Sequence, residues 1–460
     1  MGIVMYAMVL AAGLSSRMKE EKLLLPLEEH TILERSLETA SRLCENVLVV
    51  TKPKIAADTA FPENVQVAIN ETPEAGLASS ITVGIAWLKA NAPECEGVLM
   101  LLADEVSIRM NVAYEVMEKL QGRYDAIIAV SCNGKICHPV AFGAAWFNQL
   151  AALKGDKGGS QILKAYPESV EYVEADDEGD VDIDTQEDYL HAVLQHRKLV
   201  LVRGAGDIAT GSIHRLHEAG FLVAAMEIAH PTVIRRKVSY AQALLSGECI
   251  VEGQRAVLCA TPFDMAKAFG QGEIPVFVDP DAVLVTKLRP DVVVDAILAK
   301  RNLGTTIDMA PVVVGLGPGF TAGVDCHAVV ETMRGHTLGR VIYDGSAIPD
   351  TGIPGNIGGY TKERVMHAPA SGVVNLMHDI GDYVECGECL AMIGDTPLTA
   401  SLTGYLRGII ADGSEVCQGL KMADIDPRDV YGHCFSISDK ALSIGGGTLE
   451  AVMHLLHCKM

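Results

Sequence analysis

Basic charge is scarce in this chain: 37 Lys and Arg stand against 59 Asp and Glu, a formal net charge of −22 over 460 residues. So acidic a field repels polyphosphate backbones and anionic bilayers, which excludes general nucleic-acid or membrane-surface binding. A phosphate ligand would have to be held by a local set of basic side chains and backbone amides. Long apolar runs are also missing, and no uninterrupted stretch approaches the ~18 residues that span a bilayer. The twelve cysteines follow no regular framework. An apolar run near the N-terminus ends in Ala11-Ala12, but no basic segment precedes it, and Arg17 and Lys19 come after. No secretory leader is expected, and the reading is a cytoplasmic protein with reduced thiols.

What is present is an ordinary globular composition, 49% apolar and 21% charged, in a chain too long for one core. From 1 to about 195, apolar strands alternate with helical patterns, with strands expected at 3–10, 47–51, 98–102, 126–130 and 181–183. That alternation predicts an α/β layered sheet. An acidic stretch, 174–180, reads as a surface loop. A second βαβ start follows at Lys198: strand 199–203, the turn Gly204-Ala205-Gly206-Asp207, helix 208–219, strand 221–228. Further strands are expected near 276–278, 292–295 and 312–315. After a glycine-rich bridge, short β runs and glycine turns fill 367–419, and 370–374 and 380–384 resemble 402–406 and 411–416. Two related halves of short strands predict a small β barrel or sandwich. The expected boundaries are 1–196, 197–362, 363–435 and a C-terminal helix and tail at 436–460.

The most informative segment is Leu10-Ala11-Ala12-Gly13-Leu14-Ser15-Ser16-Arg17-Met18, with Lys22 beyond it. An apolar strand that opens into a small, glycine-bearing turn leaves backbone N–H groups beside a helix start, a cradle for phosphate oxygens. Ala11, Ala12 and Gly13 allow close approach to the backbone, and Arg17 and Lys22 supply positive charge. Neither G-x-x-x-x-G-K nor G-x-G-x-x-G occurs here, so this is neither a Walker loop nor a dinucleotide fingerprint. A strand, a turn and a solvated basic helix start remain the plainer reading. Asp104 follows the strand at 98–102, and Asp182 and Asp184 surround another. Carboxylates on separate strand ends beside a phosphate cradle suit Mg²⁺ in phosphoryl transfer, although any one of them alone reads as a turn or cap residue.

These residues resemble the signature of the molybdenum cofactor nucleotidyltransferases, especially their cytidylyltransferase branch. Gly76-Leu77-Ala78-Ser79-Ser80-Ile81 is similar to the segment beside the bound nucleotide in that family. Cys137-His138-Pro139-Val140 resembles its G-H-P-V, Gly155-Asp156-Lys157-Gly158-Gly159 its G-D-x-G loop, and the run from Asp182 to Asp188 its D-I-D-T-P-E-D. Two departures stand out: the family's D-Q-P reads Asp104-Glu105-Val106, and the glycine after Arg17-Met18 is Lys19. The resemblance implies Mg²⁺-dependent cytidylyl transfer from CTP to the terminal phosphate of molybdopterin, with Arg17, Lys22, Asp104 and His138 catalytic. It further implies that Leu10, Ala11, Ala12, Gly13, Ser15, Ser79 and Ser80 bind nucleotide, and that Asp104 and Asp182, with Asp184 as alternate, hold metal. A different phosphate acceptor, or a cofactor chaperone without turnover, remains open.

Gly204-Ala205-Gly206-Asp207-Ile208-Ala209 fits G-x-G-x-x-A, with Glu227 about 20 residues on, where a ribose-binding acid would stand. A nucleotide site on Gly204, Gly206 and Glu227 and a Rossmann-like scaffold without one are both open, and Asp207 is unfavourable for pyrophosphate. The runs 203–211, 315–325 and 421–428 resemble accessory proteins of selenium-dependent molybdenum hydroxylases, and the Rossmann-like part also resembles maturation chaperones of xanthine dehydrogenase. An apo molybdenum hydroxylase is the partner this implies. The β-rich segment resembles a lipoyl or biotinyl hammerhead, but 395–404 holds no lysine, which speaks against a swinging-arm carrier. The fold class expected is thus α/β: a nucleotidyltransferase-type Rossmann-like sheet, a second Rossmann-like domain and a small β barrel-sandwich. Cys386 and Cys389 form C-x-x-C without a second close pair and read as turn cysteines; Cys326 reads as a buried structural thiol before it reads as a handler of sulfur or selenium.

Overall fold

Strand β1 (Met5–Ala11) is buried along almost its whole length and lies between two parallel neighbours, which is why its sequence is a continuous apolar run. The computed structural model describes residues 4–459 apart from 16, 19, 29, 107, 156–157, 176–181, 196, 354 and 356. Ser16, Lys19, Asp156, Lys157, Val181 and most of the acidic stretch 174–180 therefore lie outside the described residues. The chain divides into two compact units, Met1–Val193 and Leu194–Met460.

In the first unit, α1 (Ile32–Leu43), β2 (Asn46–Thr51), β3 (Val65–Ile69), α2 (Leu77–Asn91) and β4 (Gly97–Leu102) follow β1. Then come α3 (Met110–Leu120), β5 (Ile127–Cys132), β6 (Lys135–Gly143), β7 (Val170–Ala175) and α4 (Gln186–Leu194). The sheet order is β3-β2-β1-β4-β6-β5-β7, parallel except for β6. Thr31 and Glu34 close a capping box at the start of α1, whose buried stripe includes Ile32, Leu33, Leu37 and Ala40. Ile81, Ile85 and Leu88 of α2 share a core with Met8, Val50, Val98 and Phe142 of the sheet. Strand order reverses between β1 and β4, and an open α/β sheet binds ligands beyond the strand ends at such a point. The strand expected at 181–183 is instead, among the described residues, a single antiparallel bridge between Asp182 and Glu105, with the Ile183 N–H donating to the Asp104 carbonyl at 3.3 Å. Asp182 and Ile183 are tied to the loop after β4 and, among the described residues, join no sheet.

The second unit opens with β8 (Leu199–Arg203), α5 (Asp207–Glu218) and β9 (Leu222–Glu227). Strands β10 (Glu248–Val251), β11 (Gln254–Cys259), β12 (Ile274–Val278), β13 (Val292–Asp295), β14 (Val312–Leu316), β15 (Ala328–Val330) and β16 (Val341–Ile342) complete a sheet of order β10-β11-β12-β9-β8-β13-β14-β15-β16. Only the two edge strands are antiparallel. Helix α6 (Asp439–Lys459) belongs to this unit's core: Ala441, Ile444, Ala451 and Val452 share one apolar cluster with β8, β13 and β14. It meets α5 backbone to backbone, since a methyl on Gly211 would come within 2.4 Å of the Ala441 carbonyl oxygen.

Between 365 and 426 come eight short strands among the described residues: β17 (Val365–His367), β18 (Gly372–Leu376), β19 (Tyr383–Val384), β20 (Cys389–Ile393), β21 (Thr396–Thr399), β22 (Gly404–Ile409), β23 (Glu415–Val416) and β24 (Lys421–Asp426). They form two sheets, β17-β24-β22-β19 and β21-β20-β18-β23, around one apolar core. Exchanging the halves maps one order onto the other. Glycines with positive φ recur with the repeat, at Gly372 and Gly404, Gly381 and Gly413, and Gly387 and Gly419. At Gly404 a side chain would also meet the Asp426 carbonyl oxygen at 2.5 Å, so the position is closed to anything larger.

Asp426 sits in this region with its side chain fully buried. Burial alone would raise its pKa, but Arg428, which donates to it at 2.9 and 2.6 Å, and Arg407 at 3.5 Å hold it down at about 2. A carboxyl lowered on folding stabilises the native state above its ordinary pKa of 3.8 and loses that contribution as pH falls toward 2. The expected loss is about 2 kcal/mol. The urea midpoint of the second unit should fall between pH 4 and pH 2, and less steeply in Asp426→Asn; equal slopes would contradict the assignment.

Candidate functional site

The C-terminal end of β1 leads directly into the turn. Leu10, Ala11 and Ala12 are buried, whereas Gly13 is exposed, and a methyl placed on it would meet nothing within 4 Å. Among the described residues nothing crowds this position, and the turn is open there. Ser15, with φ of 49°, turns the chain: its carbonyl accepts from the Met18 N–H at 3.1 Å and its hydroxyl donates to Glu21 at 2.8 Å. Lys52, just past β2, bridges Glu21 at 2.6 Å and the Gly13 carbonyl at 2.8 Å.

Lys22 is carried inward by this turn, and its side chain is only 9% exposed. Its ammonium lies 2.5 Å from Asp104, beyond β4, and 3.0 Å from Asp184. Arg17 reaches the other oxygen of Asp184 at 2.7 Å. Burial pulls the Lys22 pKa down, but the charges and hydrogen bonds of Asp104 and Asp184 outweigh it and leave it above the usual lysine value. The side chain is a fixed cation.

Asp104, Asp182 and Asp184 converge, each offering a carboxylate oxygen within 4.8 Å of the others. Burial first, then the neighbouring charges of Asp104 and Asp184, raise Asp182 to about 6. Three carboxylates against Lys22 and Arg17 leave a deficit of positive charge. Hard oxygen donors with surplus negative charge suit a divalent cation such as Mg²⁺ or Mn²⁺. Among the described residues this is the one group of three or more potential ligands. Asp188 steadies the segment, accepting from the backbone N–H groups of Asp184 at 3.2 Å and Thr185 at 2.7 Å.

His138 stands on β6, joined to Pro139 by a cis peptide, and its Nδ1 is 2.9 Å from Glu105. Glu105 follows Asp104 and bridges to Asp182, so His138 is connected to the carboxylate cluster through this one acid. Ser79 and Ser80 occupy the first turn of α2, where buried Asn70 donates to their hydroxyls at 2.8 and 3.0 Å. The Gly155 carbonyl accepts from the Ala78 N–H at 3.1 Å, bringing the glycine loop to the same helix start. Sequence reasoning missed Lys52, Asn70 and the pairing role of Glu105. Asn70 directly after β3 was the available signal, being a buried amide at a strand end; Lys52 and Glu105 depend on partners far along the chain.

The residues singled out in the second unit lie apart from this cluster in sequence and in a different unit. Gly204 and Gly206 form the turn before α5. Both oxygens of Glu227 are engaged by backbone, Ala205 N–H at 3.0 Å and Ile228 N–H at 2.8 Å. Glu227 therefore closes the glycine turn. Cys326 is fully buried and its thiol is pushed up to about 11, which keeps it protonated and unreactive. Cys386 donates to the Ser401 carbonyl at 3.4 Å.

A MobA-like NTP transferase domain model matches residues 7–170. Among curated proteins, the uncharacterized protein YqeB of Escherichia coli (strain K12) is 53% identical over 260 residues, covering 56% of this chain and 48% of that protein. The chain thus spans about half the length of that relative. Purine catabolism protein PucB of Bacillus subtilis (strain 168) is 31% identical over 193 residues, 39% of this chain and 91% of PucB. The molybdenum cofactor cytidylyltransferase of Escherichia coli (strain K12) is 26% identical over 205 residues, 42% of this chain and 96% of that enzyme. No helix among the described residues is long and apolar enough to cross a membrane. With the domain match at its N-terminal part and a relative 31% identical that is matched over 91% of its length, the chain belongs through its first unit to the MobA-like NTP transferase family.

Proposed function

We propose that the first unit transfers a cytidylyl group from CTP to the terminal phosphate of molybdopterin, releasing pyrophosphate. The observation that carries this reading is the meeting of Lys22 with Asp104 and Asp184 at the mouth of the small-residue turn, with Asp182 alongside. The preference for CTP and molybdopterin rests on the similarity to the molybdenum cofactor cytidylyltransferase.

The acceptor in such a reaction is already an anionic phosphate, so general-base catalysis contributes little; positioning and charge neutralisation dominate. Exposed Gly13 and the backbone of Leu10, Ala11 and Ala12 cradle the triphosphate, where a side chain would block approach. Lys22 and Arg17 place positive charge on the phosphates. Ser79 and Ser80, held by Asn70, present hydroxyls on the nucleotide side. Asp104 and Asp182, with Asp184, would hold Mg²⁺, which when bound supplies further neutralisation of the triphosphate. His138, tethered to Glu105, faces the acceptor side. The second unit would then take part in delivering the finished cofactor to a molybdenum hydroxylase, a selenium-dependent one on the resemblance of its sequence, and it remains separable from the transfer chemistry.

Lys22→Ala should lower turnover by ~100-fold or more, since one preorganised charge on a transferring phosphoryl group is worth several kcal/mol. Following pyrophosphate release with molybdopterin and CTP, GTP or ATP should show CTP preferred by the native protein. Turnover near the native level in a folded Lys22→Ala variant would remove Lys22 from the site, and preference for GTP would replace the donor.

Mg²⁺ should raise the melting temperature of the full chain, because a ligand bound only by the native state stabilises it by mass action. Asp182→Asn should abolish most of that rise while raising the metal-free melting temperature or leaving it unchanged, since a buried, repelled carboxylate is removed. An undiminished Mg²⁺ response would exclude Asp182 as a ligand.

A further inference from the structure

The second unit contains a cleft of about 910 Å³ whose electrostatics run against those of the chain as a whole. Ligand sites typically occupy ~300–1,000 Å³, so this one is large enough for a nucleotide-sized molecule. It lies beyond the C-terminal ends of β8, β13 and β14, where Asp207, Leu298 and Pro318 contribute to its wall. That is again the place where strand order reverses in an open parallel sheet. Its opposite wall comes from the short-stranded sheets and the start of α6. Seven of the lining side chains are Arg or Lys and three are Asp, in a protein with 22 more acids than bases.

Four of those cations are paired: Lys300 with Asp350 at 2.7 Å, Arg334 with Asp439 at 2.6 Å, and Arg364 and Arg407 with buried Asp424, Arg407 also lying 3.5 Å from Asp426. The other three, Arg235, Lys421 and Lys440, are under-neutralised. Arg235, 6% exposed, donates to the carbonyls of His433 and Ser436, stands 3.8 Å from Asp207, and has no hydrogen-bond partner for its buried Nε among the described residues. Lys421 and Lys440 form no ion pair with any described residue closer than 4 Å. Burial, with Arg334 and Lys421 near by, pulls the Lys440 pKa below its usual value. Positive charge so crowded is costly unless an anion enters. Arg and Lys facing one another across a cleft fit linked phosphates, which accept several charged donors at once.

We infer that this cleft binds a ligand carrying a diphosphate, with the charge gripped by Arg235, Lys421 and Lys440. The glycine turn before α5 does not play that part. Glu227 already occupies the Ala205 N–H, and Asp207 stands at the first position of the helix, where it repels phosphate. The apolar side chains Ile208, Ile234 and Leu298 line the same cleft and offer a surface for an organic group attached to the phosphates. The site is independent of the transfer reaction assigned to the first unit.

Calorimetric titration of the full chain with inorganic pyrophosphate and, separately, with ADP tests this, in EDTA so that the carboxylate site of the first unit holds no metal. At least one probe should bind with a dissociation constant below about 1 mM. Lys421→Ala/Lys440→Ala should weaken that binding tenfold or more and leave pyrophosphate release from CTP unchanged. Asp207→Asn should tighten it severalfold, a gain that misfolding cannot produce. Lys22→Ala should leave it as in the native chain. Equal binding of both probes identifies the phosphates as the recognised part, and tighter binding of ADP adds the nucleoside. Failure of both probes to bind, indifference to the double substitution, or loss on Lys22→Ala would overturn the inference.

Discussion

Lys22 is buried between carboxylates that reach it from 82 and 162 residues along the chain. A buried ammonium is tolerated only when paired, so this contact fixes the positions of three segments together. The turn after β1, the loop after β4 and the segment before α4 must arrive at one point, and the sheet order between β1 and β4 brings them there. Once they meet, the remaining geometry follows. Asp182 is drawn in beside Asp104 through the bridge to Glu105, and Arg17 completes the rim on Asp184. The cluster carries more negative than positive charge, and that imbalance gives it chemistry.

Much of the architecture was legible in the sequence because it rests on local periodicity. Apolar runs expected at 47–51, 98–102, 199–203 and 292–295 match strands to within one residue, since parallel strands covered on both faces need unbroken apolar sequence. The repeat of glycine-turned short strands was visible as well, because positive φ at a tight turn restricts the residue type. β3, β6 and β7 were not anticipated. β6 carries Lys135, Cys137 and His138 at its exposed start, and only its second half is buried, so half of its signal is polar. The segment expected as a strand at 181–183 misled for the opposite reason: alternating apolar and acidic sequence imitates a strand, whereas Asp182 lies in the carboxylate cluster and Asp184 just beyond pairs with Lys22.

Individual site residues were legible to different degrees. Arg17, Lys22, Asp104 and Asp184 came from motif spacing, and the structure brings them together as a hydrogen-bonded set. The supporting contacts were not legible, because partner choice is a tertiary property: nothing local says that Glu105 will face His138 or that Lys52 will reach back to Gly13. Glu227 shows how one spacing supports two readings. Its spacing from Gly204 and Gly206 fits a ribose-binding acid, yet the same spacing lets it satisfy the backbone of the turn. The two sites differ in charge: the carboxylate cluster of the first unit carries surplus negative charge, whereas seven basic and three acidic side chains line the cleft of the second, in a chain that is acidic as a whole.

The central claim is that Asp104, Asp182 and Asp184 hold a divalent cation facing Lys22 at the end of β1. Anomalous diffraction from crystals grown with Mn²⁺ and a non-hydrolysable CTP analogue tests it most directly. The account predicts an Mn²⁺ peak within ~2.0–2.6 Å of oxygens from at least two of these carboxylates, with triphosphate density along the turn at Gly13. Mn²⁺ bound elsewhere in the first unit, or a triphosphate lying away from that turn, would contradict it.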